Sequence, residues 1–297
     1  MNKKQSRRHA LKNLVAGTAA IGSVGMLSSF SRNEEKLSTA LKGNVNHSAC
    51  RWCYGSIPME ELAIAAKNIG LVGIDLVGPA DWPILKKYDL ISTMCNGAEI
   101  NLVDGWNNKQ FHSKLIQNYT NMIQLVAKAG YKNLICFSGN RRGMDDETGL
   151  QNCTEGLKQI MSLAEKNNVM VIMELLNSKV DHKDYQCDKT NWGVELVKRI
   201  GSPNFKLLYD IYHMQIDEGD VIRTIRANFD HLAHYHTGGV PGRHEIDESQ
   251  ELYYPAIIKA IVDLGFKGYL AQEFIPTAKV KEDQLAALTK AVKICDV

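Results

Sequence analysis

The chain has 297 residues, 44% of them hydrophobic and 23% charged, a balance that excludes a disordered, collagen-like or disulfide-stapled protein. The formal net charge is +2, but residues 1–31 hold Lys3, Lys4, Arg7, Arg8 and Lys12 and no acid, leaving 30 basic and 33 acidic residues in the remainder. A mildly acidic body is a poor electrostatic footprint for nucleic acid, so no nucleic-acid partner is expected.

The N-terminus pairs Arg7 with Arg8 ahead of a short, Ala- and Gly-rich apolar stretch from Asn13 to Met26. That pattern resembles a bacterial twin-arginine export signal and predicts a periplasmic protein, with residues 1–36 as leader and short linker. The apolar run is short for a membrane span and is broken by Gly17, Gly22 and Gly25, so no stable span is expected in the mature form. Seven cysteines at scattered spacing describe no disulfide framework. Cys50-Arg51-Trp52-Cys53 lacks the second pair or neighbouring His that would complete a zinc site in sequence, and reads as small strand-end residues.

Beyond the leader, short β-rich runs alternate with helical patterns. Strands are predicted at residues 44–50, 72–76, 90–95, 133–137, 169–174, 205–210, 231–236 and 268–274. Helices are predicted at 59–68, 81–87, 110–129, 149–166, 191–200, 219–228, 252–264 and 281–293. Eight strand–helix units over about 250 residues, with no long linker, predict one (β/α)8 TIM barrel domain over residues 37–297, since parallel neighbours need helical crossovers and closure removes exposed edges. The nucleotide-binding form of an open doubly wound sheet loses its support, because neither a dinucleotide fingerprint nor a P-loop motif is present.

The last four predicted strands are apolar runs finished by Glu174, Asp210, His236 and Glu273. In a barrel these four side chains ring the C-terminal mouth, where barrel enzymes carry their chemistry. Three carboxylates side by side raise one another's pKa unless a cation lies between them, and a mixed carboxylate and imidazole set suits one divalent ion, Mn or Mg first, with Co or Zn also compatible. His213, three residues after Asp210, either points into the mouth or caps the following helix. Arg243 sits in the glycine-rich loop from Thr237 to Glu245, where it suits an anionic or polyoxygenated substrate. Asn177 is either a ligand contact or a helix cap, and Trp106, after the third strand, is placed as a pocket wall.

These residues resemble the hydroxypyruvate isomerase family within the xylose isomerase-like barrels, most specifically in Tyr209-Asp210-Ile211-Tyr212-His213-Met214-Gln215, in Val240-Pro241-Gly242-Arg243-His244-Glu245, and in the strand-final Glu174 and Glu273. The resemblance implies that Glu174, Asp210, His236 and Glu273 hold the metal, that Glu174 and Glu273 are the acid/base pair, and that His213 and Arg243 contact substrate. Where those isomerases typically carry Gln, this chain has His236, the habit of ketose 3-epimerases. The function expected is a metal-dependent isomerase or epimerase of a sugar or hydroxy-keto acid, moving a proton through an ene-diolate. Elimination by a keto-sugar or inosose dehydratase or lyase on the same site, and a non-catalytic periplasmic sugar-binding barrel, are the alternatives. The partner is a small molecule, and assembly into a homo-oligomer is left open.

Overall fold

The computed structural model describes residues 40–297, so the predicted export leader lies outside the described residues. Eight short strands, β1 (Asn46–Ala49), β2 (Gly73–Asp75), β3 (Ile91–Met94), β4 (Asn133–Cys136), β5 (Met170–Glu174), β6 (Phe205–Asp210), β7 (Leu232–Thr237) and β8 (Tyr269–Gln272), run parallel. Strands β4 to β8 and then β1 pair in that order, and β2 pairs with β3. Single bridges, Cys50 to Asp75 and Cys95 to Leu134, join the two sheets on both sides and complete the ring. The predicted α/β barrel is therefore the architecture observed. The strands are near-continuous buried runs such as Val171-Ile172-Met173, as expected of parallel strands covered on both faces.

Helices α1 (Met59–Ile69), α2 (Trp82–Lys87), α3 (His112–Ala129), α4 (Asp146–Lys166), α5 (Thr190–Ile200), α6 (Ile211–Asp217), α7 (Val221–Asn228), α8 (Tyr254–Asp263) and α9 (Lys281–Cys295) make the crossovers. Apolar period and end signals together set their limits. Helix α3 stops at Gly130, whose φ of 82° is the left-handed turn that a glycine takes without steric cost. Helix α4 begins three residues before the predicted Gly149, because Asp145 accepts the Thr148 backbone N–H at 2.7 Å and caps it.

Helix α6 was not predicted. It starts on the residue after β6, with Asp210 as its cap, so strand and helix share one junction. At seven residues it is too short to show a period of its own, and its caps and burial, not propensity, hold it.

Candidate functional site

The ends of β5, β6, β7 and β8 bring Glu174, Asp210, His236 and Glu273 together, with one ligand-capable atom of each within 4.8 Å of all the others. All four are buried, at 4%, 0%, 0% and 3% exposure. The register explains the convergence. Asp210 pairs with His236 across β6 and β7, Glu174 ends β5 opposite Leu208, and Glu273 follows β8 two residues past the Ala271 that pairs with His236, so all four finish their strands at the same C-terminal rim.

Each member is oriented by separate partners. Asp210 Oδ1 accepts the backbone N–H groups of Tyr212 and His213 at 2.8 and 3.2 Å, while Oδ2 is buried without a hydrogen-bond donor. Asp210 is thus both helix cap and member of the cluster. Glu273 is the best-held carboxylate. Trp52 Nε1 donates to its Oε1 at 2.7 Å, and His236 Nδ1 and Arg243 Nη2 donate to its Oε2 at 2.8 and 2.7 Å. Glu174 Oε1 lies 3.2 Å from the same His236 nitrogen, but that N–H is directed at Glu273, and Glu174 Oε1 has no donor of its own.

The electrostatics follow from this inequality. Burial, and then the charge of Glu273, push the Glu174 carboxyl up and the Asp210 carboxyl well above the usual carboxylate range. Burial acts the same way on Glu273, but His236 and Arg243 overcome it and hold that carboxyl well below its ordinary value. Three buried carboxylates, two of them with an oxygen lacking a donor, beside one imidazole nitrogen form a donor set that fits a single divalent cation.

Sequence reasoning missed Asp75, which finishes β2. Its Oδ1 lies 3.0 Å from His236 Nε2, its Oδ2 2.9 Å from His234 Nε2, and Thr93 Oγ1 donates to Oδ2 at 2.7 Å. Burial alone would raise this carboxyl; the two histidines instead hold it well below its usual value. With Asp75 accepting the Nε2 proton of His236, the Nδ1 proton that points at Glu273 is the one a bound ion would displace, and the ring would then ligate through Nδ1. The rule that singled out the other four, a ligand-capable residue ending a strand, fits Ile74-Asp75 as well. Cys50 Sγ also lies 3.8 Å from His236 Nε2, so the C-x-x-C does have a histidine beside it in space, although burial pushes this thiol well up.

A cavity of about 310 Å³ opens beside the cluster. Glu174, Glu273, Arg243 and His182 form its polar side, and Trp52, Leu76, Leu102, Phe137 and Leu176 its apolar side. Of the four predicted substrate contacts, Arg243 alone lines this space. Trp106 is fully buried, 5.2 Å from the Tyr119 ring, because the long connection after β3 folds back beneath helix α3; Trp52 supplies the indole wall instead.

Asn177 is a turn residue. Its Oδ1 accepts the N–H groups of Val180 and Asp181, which fixes the amide so that Nδ2 meets His213 Nδ1 at 2.6 Å. His213 is buried behind His182, their rings 5.2 Å apart. Burial and then Arg243 push its imidazole well down. With Nδ1 accepting from Asn177, its proton sits on Nε2, 3.6 Å from Asp210 Oδ2.

Arg243 reaches the site from a tight loop. Its backbone lies in the left-handed region, φ 59°, and its N–H donates to the Gly239 carbonyl at 2.8 Å. At Gly239 the loop packs tightly on the chain itself, since a Cβ there would stand 2.3 Å from the Glu245 carbonyl oxygen. Gly239→Ala is therefore expected to spread the loop, cost about 1–3 kcal/mol in urea unfolding and weaken substrate binding through Arg243. Unchanged stability and KM would show that the loop has room this geometry denies.

Metal-free protein provides a second check. Glu174, Asp210 and His236 all keep protons to higher pH than they do in the unfolded chain, against Glu273 alone in the other direction. In the metal-free state the cluster thus binds more protons folded than unfolded, so its own contribution to stability is present below the ordinary carboxylate range and lost as pH rises through the raised values, while Asp75, held low by its histidines, contributes in the opposite sense. A divalent ion removes that loss. The gap in Tm between Mn²⁺-loaded and EDTA-treated protein is expected to widen steadily from acid to mildly alkaline pH, and parallel Tm profiles would contradict the cluster's electrostatics.

The fold is that of the xylose isomerase-like TIM barrels, and the model of that family matches residues 82–291, so the chain belongs to it. Among curated relatives it is 33% identical over 124 residues to a 2-oxo-tetronate isomerase of Cupriavidus necator, covering 42% of this chain and 47% of that protein. It is 27% identical over 173 residues to a D-psicose 3-epimerase of Ruminiclostridium cellulolyticum, covering 56% and 55%. The matches thus span about half the length of these relatives. A crystal structure of a family 2 AP endonuclease from Brucella melitensis superposes with a TM-score of 0.74 at 23% identity over 84% of this chain and 98% of that one, a likeness of fold.

Proposed function

We propose that the protein is an isomerase or epimerase that moves a proton beside the carbonyl of a sugar or hydroxy-keto acid. One observation carries the reading. Glu174 and Glu273 belong to the buried cluster and also line the cavity, whereas Asp210 and His236 lie behind them. Two carboxylates thus reach a substrate while the other two ligand-capable groups serve the cluster. The isomerase and epimerase activities named for the relatives support the same class.

Glu174, Asp210, His236 and Glu273 would hold the divalent ion, which when bound supplies positive charge to steady negative charge developing on the substrate oxygens. The chain's own residues do the rest. Glu174, with a raised carboxyl and a free oxygen, takes the carbon-bound proton; Glu273, held ionised by Arg243 and His236, faces the same cavity as the second acid/base group. Arg243 places its guanidinium between Glu273 and the substrate's oxygens, and the apolar wall keeps water from the reacting carbon. Export through the twin-arginine route, as the leader suggests, is consistent with a site loaded before translocation.

The test is incubation of Mn²⁺-loaded protein with ketoses, aldoses and keto acids in D2O. Proton NMR is expected to show deuterium entering one carbon next to the carbonyl without loss of water. A dehydrated product would move the assignment to a lyase. Tight sugar binding with no exchange would make the barrel a binding protein.

A further inference from the structure

Behind His236 lie donor groups that the proton-transfer chemistry does not use. Cys50 follows β1 and bridges to Asp75 at the end of β2, and His234 stands two residues before His236 on β7. All four residues are fully buried. Cys50 Sγ lies 3.8 Å from His236 Nε2 and 3.7 Å from Asp75 Oδ1, and those two atoms are 3.0 Å apart.

Separations of this size are the edges of a coordination tetrahedron. With Zn–S at about 2.3 Å and Zn–N or Zn–O at about 2.0–2.1 Å, tetrahedral angles put sulfur about 3.6 Å from nitrogen or oxygen, and nitrogen about 3.4 Å from oxygen. Each of the three observed distances is within about 0.4 Å of its edge.

His234 is an independent sign of a ligand. Its Nε2 is 2.9 Å from Asp75 Oδ2 but off the hydrogen-bond direction, so neither ring nitrogen has a hydrogen-bond partner despite complete burial. Buried imidazoles ordinarily satisfy their nitrogens. One that stands beside a carboxylate without bonding to it offers a further donor atom to an ion held there.

Charge and softness agree. Cys50 as thiolate and Asp75 as carboxylate balance one divalent ion with no outside counter-ion, which matters in a fully buried place. A thiolate with imidazoles suits a soft ion such as Zn²⁺ or Cd²⁺, whereas the three carboxylates of the rim suit a hard one such as Mn²⁺. Thr93 Oγ1, which donates to Asp75 Oδ2 at 2.7 Å and meets Ser48 Oγ at 2.6 Å, fixes the carboxylate from behind. Cys50, His236 and Glu273 also offer atoms within 4.8 Å of one another, so the place adjoins a glutamate that lines the cavity, and an ion enters from there.

We propose that Cys50, Asp75, His234 and Nε2 of His236 form a second metal site, for a thiophilic divalent ion, which shares His236 with the rim cluster so that one ion excludes the other. A neutral imidazole has one lone-pair nitrogen. Nδ1, turned to Glu273 and Glu174, serves the rim; Nε2, turned to Asp75 and Cys50, serves this site. As the soft ion binds, the thiol proton and the Nε2 proton leave to solvent, and the ring keeps its proton on Nδ1. The exclusion rests on the rim ion of the proposed function; the site itself does not.

The probe is Zn²⁺ alone, added below one equivalent to the metal-free full chain and read by X-ray absorption. One sulfur at about 2.3 Å is expected in the unaltered protein and in Cys53→Ser, and none in Cys50→Ser, whose Mn²⁺ affinity by calorimetry should be unchanged. Co²⁺ gives a second readout that needs no variant, a thiolate-to-metal charge-transfer band. Saturating Mn²⁺ is expected to weaken the Co²⁺ affinity read from that band at least about tenfold. A sulfur-free Zn²⁺ shell or no such band in the unaltered protein would overturn the site, as would a sulfur signal that survives Cys50→Ser. A Co²⁺ affinity untouched by bound Mn²⁺ would overturn the sharing of His236. Failure of Mn²⁺ to bind at all would remove the rim ion and with it the proposed function, and the sulfur signal would still decide this site, so the two failures are told apart.

Discussion

Glu174→Gln is expected to lower turnover by about 10²–10⁴-fold while metal content and stability stay near those of the unaltered protein. Glutamine keeps the shape and one oxygen for the ion but cannot take a proton. Glu174 Oε1 has no hydrogen-bond donor, so no partner is orphaned by the change, and removal of a buried carboxylate that Glu273 repels offsets what is lost. Glu273→Gln is expected to cost as much turnover and more besides. It weakens contacts to Trp52, His236 and Arg243 together, so KM should rise and stability fall by about 1–3 kcal/mol. Single-turnover proton exchange and metal analysis on both variants check this. Near-normal exchange in either one removes that glutamate from the chemistry.

The second large effect is expected at a residue outside both the cavity and the cluster. Asp75→Asn should weaken metal binding by about 10–100-fold, read by calorimetric titration of Mn²⁺ into metal-free protein. The aspartate holds the Nε2 proton of His236 at 3.0 Å while gripping His234 at 2.9 Å, and Thr93, itself 2.6 Å from Ser48 Oγ, fixes the carboxylate from the third side. An amide still fits that space but loses the charge that makes His236 Nδ1 a strong ligand. If the positioning role is right, affinity and the pH dependence of metal uptake shift together, because the proton balance at His236 changes. Loss of stability with unaltered affinity would leave Asp75 a packing residue.

The barrel was readable because its cause is local and repeated. Each of the eight predicted strands lies near its observed place, and β6 coincides with Phe205–Asp210. The four-residue cluster was readable because period and position acted together: an apolar parallel strand that ends on a charged residue places that residue on the rim.

What the sequence hid depends on chain paths. Trp52 and His182 reach the cavity on connections whose course no periodicity specifies, and Trp106, on the long connection after β3, is buried away from it. His213 and Asn177 lie beside the site, and the hydrogen bond between them is internal to the chain. Asn177 fixes the His213 tautomer through an amide that two backbone N–H groups orient. Asp75 was passed over although it lies inside the strand predicted at 72–76, because that strand was carried one residue past it to Leu76, whereas β2 ends on Asp75.

The whole account turns on one ion held by the ends of β5 to β8. Anomalous diffraction from crystals soaked in Mn²⁺ tests it directly. A single strong peak is predicted about 2.0–2.2 Å from ligand atoms of Glu174, Asp210, His236 and Glu273. A peak on Cys50 or His234 instead, or no ordered ion at a concentration that saturates the protein in solution, would contradict it.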